Sequence, residues 1–257
     1  MTDFITNIAR QAGQKSLEYF GKLNTGDVFS KSSKKDLVSV ADKAVENFII
    51  SEIRKSYPDH GFFGEETGKS DSSSPWCWII DPIDGTQNFV NGHPFYSISI
   101  ALFHQNEPVA GCVYAPVLDR LFHAEKGKGA FEGTKRLKTT GCTSLETATC
   151  ATGFAEFRQN KTEPTLSRFC RIAPKLQDIK RCGSAAIDLA FVGAGIYDGF
   201  WEEGLGLYDI AAGMLISKEA GAIVCDYNGK QNMPMDGIIS AAPGIAEELR
   251  LTLNGLK

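Results

Sequence analysis

Two aspartates three residues apart follow an apolar run in the segment 78–89, WIIDPIDGTQNF. Pro82 favours an extended backbone at Asp81 and fixes its own φ, so the turn that follows can direct Asp84 back toward Asp81. Two converging carboxylates repel each other unless a cation lies between them. Mg²⁺ binds oxygen ligands and shares protein carboxylates with substrate phosphate oxygens. The spacing therefore indicates a divalent-cation site.

The two residues after this pair could bind an anion. Gly85 lets the backbone approach a ligand closely, and the N–H groups of Gly85 and Thr86 could point at a phosphate. A helix beginning near Thr86 would add the positive end of its dipole. Taken alone, the same residues fit a polar turn capped by aspartates equally well.

Further acids stand in two other segments. GFFGEETG places Glu65 and Glu66 between glycines, which is also the pattern of a surface turn. GLYDIAAGML places Asp209 at the start of an apolar helix, where an aspartate most often serves as an N-cap. Each segment is weak evidence alone, and together they could complete an oxygen-ligand site.

Composition narrows the function classes. The chain has 257 residues, 42% hydrophobic content and a net charge of −4, which disfavours nucleic-acid binding. No apolar run approaches the roughly 20 residues that cross a bilayer, and the first 14 residues do not resemble a signal peptide. Seven scattered cysteines without a C-x-x-C pair suit a reducing compartment. We therefore expect a cytoplasmic protein that binds neither membrane nor nucleic acid.

Periodicity predicts the elements that must position these acids. Helices are predicted over 4–20 and 39–53, the second with a capping box between Ser39 and Asp42. The segment WCWII is predicted to be a strand that ends just before Asp81, and SISIAL, VAGCVYAP and RLFHAE an antiparallel meander. Helices and isolated strands alternate from about residue 162. This indicates an α/β or α+β protein with two regions, 1–145 and 146–257.

Three of these segments occur in a familiar order. GEE, DPIDGTQNF and YDIAAGMLISKEAGA resemble the signatures of the inositol monophosphatase family, the Mg²⁺-dependent, lithium-sensitive sugar phosphatases. DLVSVADKAVE is similar to a further helix of that family, and the likeness extends from about residue 30 to 230. The resemblance implies the layered αβαβα sandwich of the inositol monophosphatase and fructose-1,6-bisphosphatase type, commonly assembled as a homodimer.

The resemblance also implies a set of metal and catalytic residues. Two or three Mg²⁺ ions would be held by Glu65, Asp81, the backbone carbonyl of Ile83, Asp84 and Asp209. Thr86, oriented by Asp42 and with Glu65 close by, would help to deprotonate the attacking water. Asp42 could serve as a capping residue as well.

Residues of three segments would contact the substrate, a small phosphorylated polyol or sugar. The implied substrate-binding set is Asp84, Gly85, Thr86, Ser184, Ala185, Glu202 and Asp209. Tyr208 replaces the family's usual Trp, and Ala222 its usual Gly, which leaves the specificity of the pocket open.

The substrate that the resemblance favours is inositol 1-phosphate. A fructose-1,6-bisphosphatase, a bisphosphate nucleotidase of the 3′-phosphoadenosine type and a non-catalytic regulatory role remain as alternatives. The segments DPIDGTQNF and GSAA disfavour the nucleotidase.

Overall fold

A computed structural model describes residues 1–30, 37–232 and 237–256. The α-helices of these residues are α1 (Thr2–Leu17), α2 (Val40–Ser56), α3 (Thr86–Val90), α4 (Thr165–Ile172), α5 (Ala185–Gly193), α6 (Leu207–Glu219) and α7 (Ala246–Asn254). Short 3₁₀ helices cover Thr25–Asp27, Leu145–Thr147, Ala155–Gln159 and Ala173–Lys175. Within the described ranges, each helix is too short or too polar to cross a bilayer.

The strands form a two-stranded, an eight-stranded and a five-stranded sheet. They are β1 (Val28–Ser30), β2 (Leu37–Ser39), β3 (Gly61–Gly64), β4 (Gly68–Lys69), β5 (Trp76–Asp84), β6 (Ser97–His104), β7 (Glu107–Ala115), β8 (Arg120–Glu125), β9 (Gly129–Glu132), β10 (Lys135–Arg136), β11 (Thr149–Thr152), β12 (Asp178–Lys180), β13 (Gly199–Glu202), β14 (Ile223–Cys225) and β15 (Ile238–Ala241).

The eight-stranded sheet has the order β10-β9-β8-β7-β6-β5-β3-β4. From β5 to β10, each strand is antiparallel to the next one, which confirms the predicted meander. On its other side, β5 pairs in parallel with β3. Side chains alternate between the two faces of a strand. Ile80 of β5 therefore faces one apolar core and Ile79 the other.

Helices α1 and α2 cover one face of this sheet. Their apolar stripes, which include Ile5, Ile8, Val45 and Ile49, are buried against the sheet. Helix α2 begins where the sequence predicted, because the Ser39 side chain accepts from the backbone of its first turn and Asp42 accepts from the Ser39 N–H. This fixes Asp42 at the entrance of the helix.

Helices α5 and α6 form a middle layer between the two large sheets. Every residue of α5 is buried, and all of them except Asp188 are apolar or glycine. Helix α6 lies close to the first sheet at Gly111 of β7, where an added methyl group would be 3.0 Å from the Ala212 Cα atom. The absence of a side chain at Gly111 therefore sets the depth at which α6 packs.

The five-stranded sheet has the order β12-β11-β13-β15-β14, and α4 and α7 cover its outer face. The layers thus run helix, sheet, helix, sheet, helix, which confirms the expected αβαβα sandwich. All strands of the eight-stranded sheet come before residue 145 in the sequence, and all strands of the five-stranded sheet come after residue 146. However, α5 and α6 share one apolar core with both sheets. The two-region division stays a prediction.

The close approach at Gly111 can be tested by adding one methyl group. Gly111→Ala should lower the free energy of unfolding by about 1–3 kcal/mol, because the backbone of α6 cannot yield as a flexible side chain would. Gly141→Ala is the matched control, since no atom lies within 4 Å of its added Cβ and its φ is not positive. Chemical denaturation of both variants gives the comparison, and equal stabilities would contradict this account of α6 packing.

Candidate active site

Strand β5 carries the first two acids. It continues through Asp84 instead of ending before Asp81, so this predicted strand end was wrong. Its pairing with β6 shifts register between Asp81 and Asp84, around Pro82, which cannot donate a ladder hydrogen bond. Asp81 and Asp84 are both buried, with 1% and 5% of their surface exposed.

Helix α6 brings Asp209 to the same place. One carboxylate oxygen from each of Asp81, Asp84 and Asp209 lies within 4.8 Å of the others. Asp209 is the third residue of α6 rather than its N-cap, and its Oδ2 accepts a hydrogen bond of 2.5 Å from the Gly206 N–H. Residues far apart in the sequence thus supply one triad of carboxylates, here named the aspartate triad.

Backbone and hydroxyl donors orient the triad. Asp81 accepts from the Ile83 N–H at 3.0 Å. Asp84 accepts from the Ser184 hydroxyl at 2.6 Å and from the Ala186 N–H at 2.8 Å, both at the start of α5. These donors leave oxygen lone pairs of the aspartates available to a ligand.

A second group of acids lies at the end of β3. Carboxylate oxygens of Asp42, Glu65 and Glu66 lie within 4.8 Å of one another. Thr86 donates its hydroxyl to Asp42 Oδ1 at 3.2 Å, while Asp42 Oδ2 accepts from Ser39. The hydrogen bond between Thr86 and Asp42 is therefore present, and Asp42 also serves in the capping box.

Glu46 holds the loop that carries Glu65. Its buried carboxylate accepts from the N–H groups of Glu66 at 3.0 Å and of Thr67 at 2.8 Å. A methyl group at Gly64 would lie 2.5 Å from this carboxylate. The glycine before Glu65 is thus required by the close approach of Glu46 to the backbone.

One narrow cavity collects most of the predicted site residues. Its walls include Glu65, Asp81, Ile83, Asp84, Gly85, Thr86 and Asp209. Residues without a predicted role also line it, namely Gln87, Asn88, Arg158, Arg181 and Gly183. The sequence offered one cue to these, because Gly183 directly precedes the predicted Ser184 and Arg181 lies three residues before it.

Three residues that were predicted to contact the substrate do not line this cavity, namely Ser184, Ala185 and Glu202. Ser184 and Ala185 are buried, and the Ser184 hydroxyl is bonded to Asp84. Glu202 is buried at the end of β13 and accepts from the Ala155 N–H at 2.9 Å. Their predicted contacts with a substrate stay predictions, and the observed role of Ser184 is to orient Asp84.

Burial makes the ionised form of these acids costly. It raises the pKa of Asp42 and of Asp84 to about 6 and that of Glu202 to about 7. Burial also raises the pKa of Asp81 and Asp209, and the charges of neighbouring acids raise both further. A bound cation would relieve this cost.

Arg158 offsets part of the negative charge. Partial burial acts to lower its pKa, but the charges of Asp209, Glu202 and Asp84 outweigh burial and raise it. In return, Arg158 lowers the pKa of Asp84 and Glu202 against the effect of burial. The cavity wall thus holds four acids, Glu65, Asp81, Asp84 and Asp209, against two guanidinium groups, Arg158 and Arg181.

The donor set fits magnesium. Both acid groups offer carboxylate oxygens, and the nearby Ile83 carbonyl adds another oxygen. Neither group contains the sulfur or nitrogen ligands that zinc and copper favour. Hard divalent cations such as Mg²⁺ bind carboxylate and carbonyl oxygens, and a bound cation would also reduce the repulsion among the carboxylates.

Several known proteins are similar to this chain in sequence and in fold. An inositol-1-monophosphatase of Mesorhizobium japonicum is 36% identical over 98% of this chain and 94% of that protein. A Nus factor SuhB of Haemophilus influenzae is 40% identical (92% and 90% covered), and a fructose-1,6-bisphosphatase/inositol-1-monophosphatase of Aquifex aeolicus 39% identical (85% and 83% covered). The solved structure of a Thermotoga maritima IMPase superposes with a TM-score of 0.90 at 35% identity, covering 98% of this chain and 96% of that one.

The match extends over almost the entire chain. The model of the inositol monophosphatase family covers residues 1–254, which include both acid groups and the substrate segment. Family models of this kind describe a common ancestry, and the αβαβα layers agree with it. The chain therefore belongs to the inositol monophosphatase family.

Proposed function

We propose that this protein is a Mg²⁺-dependent phosphatase that hydrolyses the phosphate monoester of a small polyol or sugar, with inositol 1-phosphate as the foremost substrate. The observation that carries the proposal is the aspartate triad, whose three carboxylates converge within 4.8 Å beside Gly85 and Thr86. Membership of the family supports phosphatase chemistry. The choice of inositol 1-phosphate rests on the sequence resemblance.

The residues that would hold Mg²⁺ are the triad, Glu65 and the carbonyl of Ile83. Bound there, the metal would supply positive charge that stabilises the phosphoryl and leaving oxygens and makes water a better nucleophile. The chain's own donors hold the carboxylates in place. Ile83, Ala186 and Gly206 each contribute a backbone N–H to one aspartate, so the ligands are oriented in advance.

Thr86 and Asp42 would handle the proton of the attacking water. The Thr86 hydroxyl already donates to Asp42 Oδ1, so Thr86 can accept a proton from water as its own proton moves to Asp42. Burial raises the pKa of Asp42 to about 6, which makes this carboxylate a better proton acceptor than an exposed aspartate. Water attacks the phosphorus in line, and no covalent phospho-enzyme is required.

The substrate would be held from both ends. The backbone N–H groups of Gly85 and Thr86 would bind phosphate oxygens, and Gly85 has a φ of +99°, a left-handed conformation that favours glycine. Glu202 would accept hydrogen bonds from polyol hydroxyls. Arg158 and Arg181, in the cavity wall, add positive charge for an anionic substrate.

A sugar bisphosphate is the second candidate substrate. Arg158 and Arg181 would suit an additional phosphate, since guanidinium groups bind phosphate oxygens in a bidentate manner. The Aquifex aeolicus relative carries both activities in its name. A non-catalytic role, suggested by the Nus factor relatives, would need neither the triad nor its donors.

The proposal is tested by phosphate release from inositol 1-phosphate, fructose 1,6-bisphosphate and 3′-phosphoadenosine 5′-phosphate with Mg²⁺, and with added Li⁺. Asp84→Asn should lower turnover by at least about 100-fold, because changing residues that only orient metal ligands already costs about 10- to 100-fold. Asp178→Asn, an exposed site on β12, is the control. Wild-type protein without metal-dependent turnover on any of these substrates would refute the proposal.

Glu65 has a separable role, close to the attacking water. Glu65→Gln should lower kcat by about 10- to 100-fold with little change in KM, because the missing charge acts on the nucleophile rather than on the bound substrate. Glu107→Gln, an exposed site on β7, is the control. A variant that changes only KM would contradict this role.

The stability of the metal-free protein should depend on pH, because the pKa values of several buried acids are raised. An acid whose pKa is raised in the folded state favours folding below its unfolded pKa, near 4, and this contribution is lost as the pH rises through the folded pKa. The Tm of the metal-free protein should therefore fall between pH 4 and the values of about 6 for Asp84 and about 7 for Glu202.

Mg²⁺ binds the deprotonated carboxylates, so its effect on Tm should grow over the same range. We expect the Mg²⁺-induced rise in Tm to be larger at pH 8 than at pH 5.5, as measured by thermal unfolding with and without the metal. Asp84→Asn should show a smaller rise at both pH values. An equal rise for the wild-type protein at pH 5.5 and pH 8 would show that these acids do not bind the metal.

A further inference from the structure

An apolar cleft of about 700 Å³ lies between the edge of the eight-stranded sheet and the segment that leads into α6. Its apolar walls include Phe63, Cys77, Ile79, Phe103, Leu205 and Leu207. None of the residues that line the cleft also lines the cavity of the aspartate triad. The cleft is therefore separate from the site described above.

The cleft exists because the middle helical layer covers only part of the sheet. Residues paired directly across neighbouring strands share a face, and Cys77 pairs with Phe103 while Phe63 pairs with Ile79. Phe63 and Cys77 remain partly exposed at the edge of the core, although Phe103 and Ile79 are buried. An apolar face is thus left open to a ligand.

Lys69 gives the cleft its charge. It is the one charged side chain among the described residues that line the cleft, whereas the chain as a whole has a net charge of −4. Lys69 pairs with Phe63 across β4 and β3, which places both side chains on the face of the cleft. Burial raises the pKa of the Cys77 thiol, and the charge of Lys69 opposes this rise.

The cleft and the acid site share their supporting segments. Phe63, Ile79 and Leu207 line the cleft, and each lies two residues before an acid: Glu65, Asp81 and Asp209. Ile79 and Asp81 lie two residues apart along β5 and therefore share a face, about 7 Å apart, whereas Glu65 follows the end of β3 directly and Leu207 and Asp209 lie in the first turn of α6. A ligand that moves these walls would move the backbone that holds the acids.

Tyr208 lies between the cleft and the acid site. Its ring lies 5.9 Å from that of Phe63 in an edge-to-face arrangement, and it directly precedes Asp209. Its carbonyl accepts a hydrogen bond from Ser99 of β6. A shift of Phe63 would therefore be transmitted to the start of α6.

We propose that this cleft binds a small organic anion with an apolar body, and that its occupancy changes the affinity of the acid site for Mg²⁺. The volume lies within the range of about 300–1,000 Å³ that is usual for small-molecule sites. The apolar walls would take the body of the ligand, and Lys69 its anionic group. This inference goes beyond the proposed phosphatase activity, and its coupling rests on the Mg²⁺ site of that proposal, whereas binding of the anion does not.

Anilinonaphthalene sulfonate is a suitable probe, because it combines an aromatic body with one negative charge and fluoresces when bound. Lys69→Glu should weaken its binding by at least about 10-fold, since the substitution replaces an attractive charge with a repulsive one. Lys135→Glu is the matched control, because Lys135 is an exposed lysine on β10, the opposite edge strand of the same sheet.

A second variant tests the site without changing its charge. Cys77→Phe adds bulk from a partly buried position in the wall and should also abolish probe binding. Equal binding to the wild-type protein, Lys69→Glu and Cys77→Phe would overturn the site. At saturating Mg²⁺, displacement of the probe by added inorganic phosphate would place the probe in the acid cavity and would overturn the site as well.

The coupling is measured without any turnover assay. The Mg²⁺ concentration at the midpoint of the thermal stabilisation should shift by at least about 3-fold when the probe is saturating, and this shift should vanish in Cys77→Phe. A midpoint that the probe leaves unchanged would overturn the coupling. Since the readout is metal binding, a failed phosphatase assay would leave this result interpretable.

Discussion

The repulsion among buried carboxylates is the constraint around which this site is built. Asp81, Asp84 and Asp209 converge in a place where water cannot fully solvate their charge, and burial raises the pKa of each. The folded chain compensates in part with oriented dipoles, because each aspartate accepts from a backbone N–H. These donors fix the carboxylates, but they do not neutralise three charges. The fold therefore holds carboxylates whose repulsion a proton or a bound cation would relieve.

The order of the layers explains how distant segments supply that geometry. Strand β5 ends where α5 and α6 begin, so the start of two helices meets the irregular end of one strand. Carboxylates near the first turn of a helix are stabilised by its dipole, which favours Asp84 at α5 and Asp209 at α6. Gly111, by letting α6 approach the sheet, sets the height at which Asp209 lies. Packing in the middle layer thus determines the separation of the acids.

Local signals predicted part of the geometry of the acid site, and non-local contacts determined the rest. The Asp-Pro-x-Asp-Gly spacing, the capping box at Ser39 and the start of α3 at Thr86 depend on neighbouring residues, and the structure agrees with all of them. The continuation of β5 to Asp84 depends on pairing with Ser97 of β6, which no local pattern reveals. The roles of Glu46 and Arg158 follow from contacts of α2 and of the 3₁₀ helix Ala155–Gln159 with residues far away in the sequence. Ser184 was predicted from its segment, yet only the fold shows that it orients Asp84.

The same strands have two uses because side chains alternate with a period of two. A residue that faces the middle layer and the residue two positions later share a face of a strand. In β5 these residues are Ile79 and Asp81, and beside them lie Phe63 of β3 and Glu65, which directly follows β3. Together they form one surface that changes from apolar to acidic. At the apolar end, α6 leaves the sheet partly uncovered, and at the acidic end it supplies Asp209. A ligand in the cleft would contact Phe63, and the proposed coupling requires the backbone between Phe63 and Glu65 to carry a displacement to the acids.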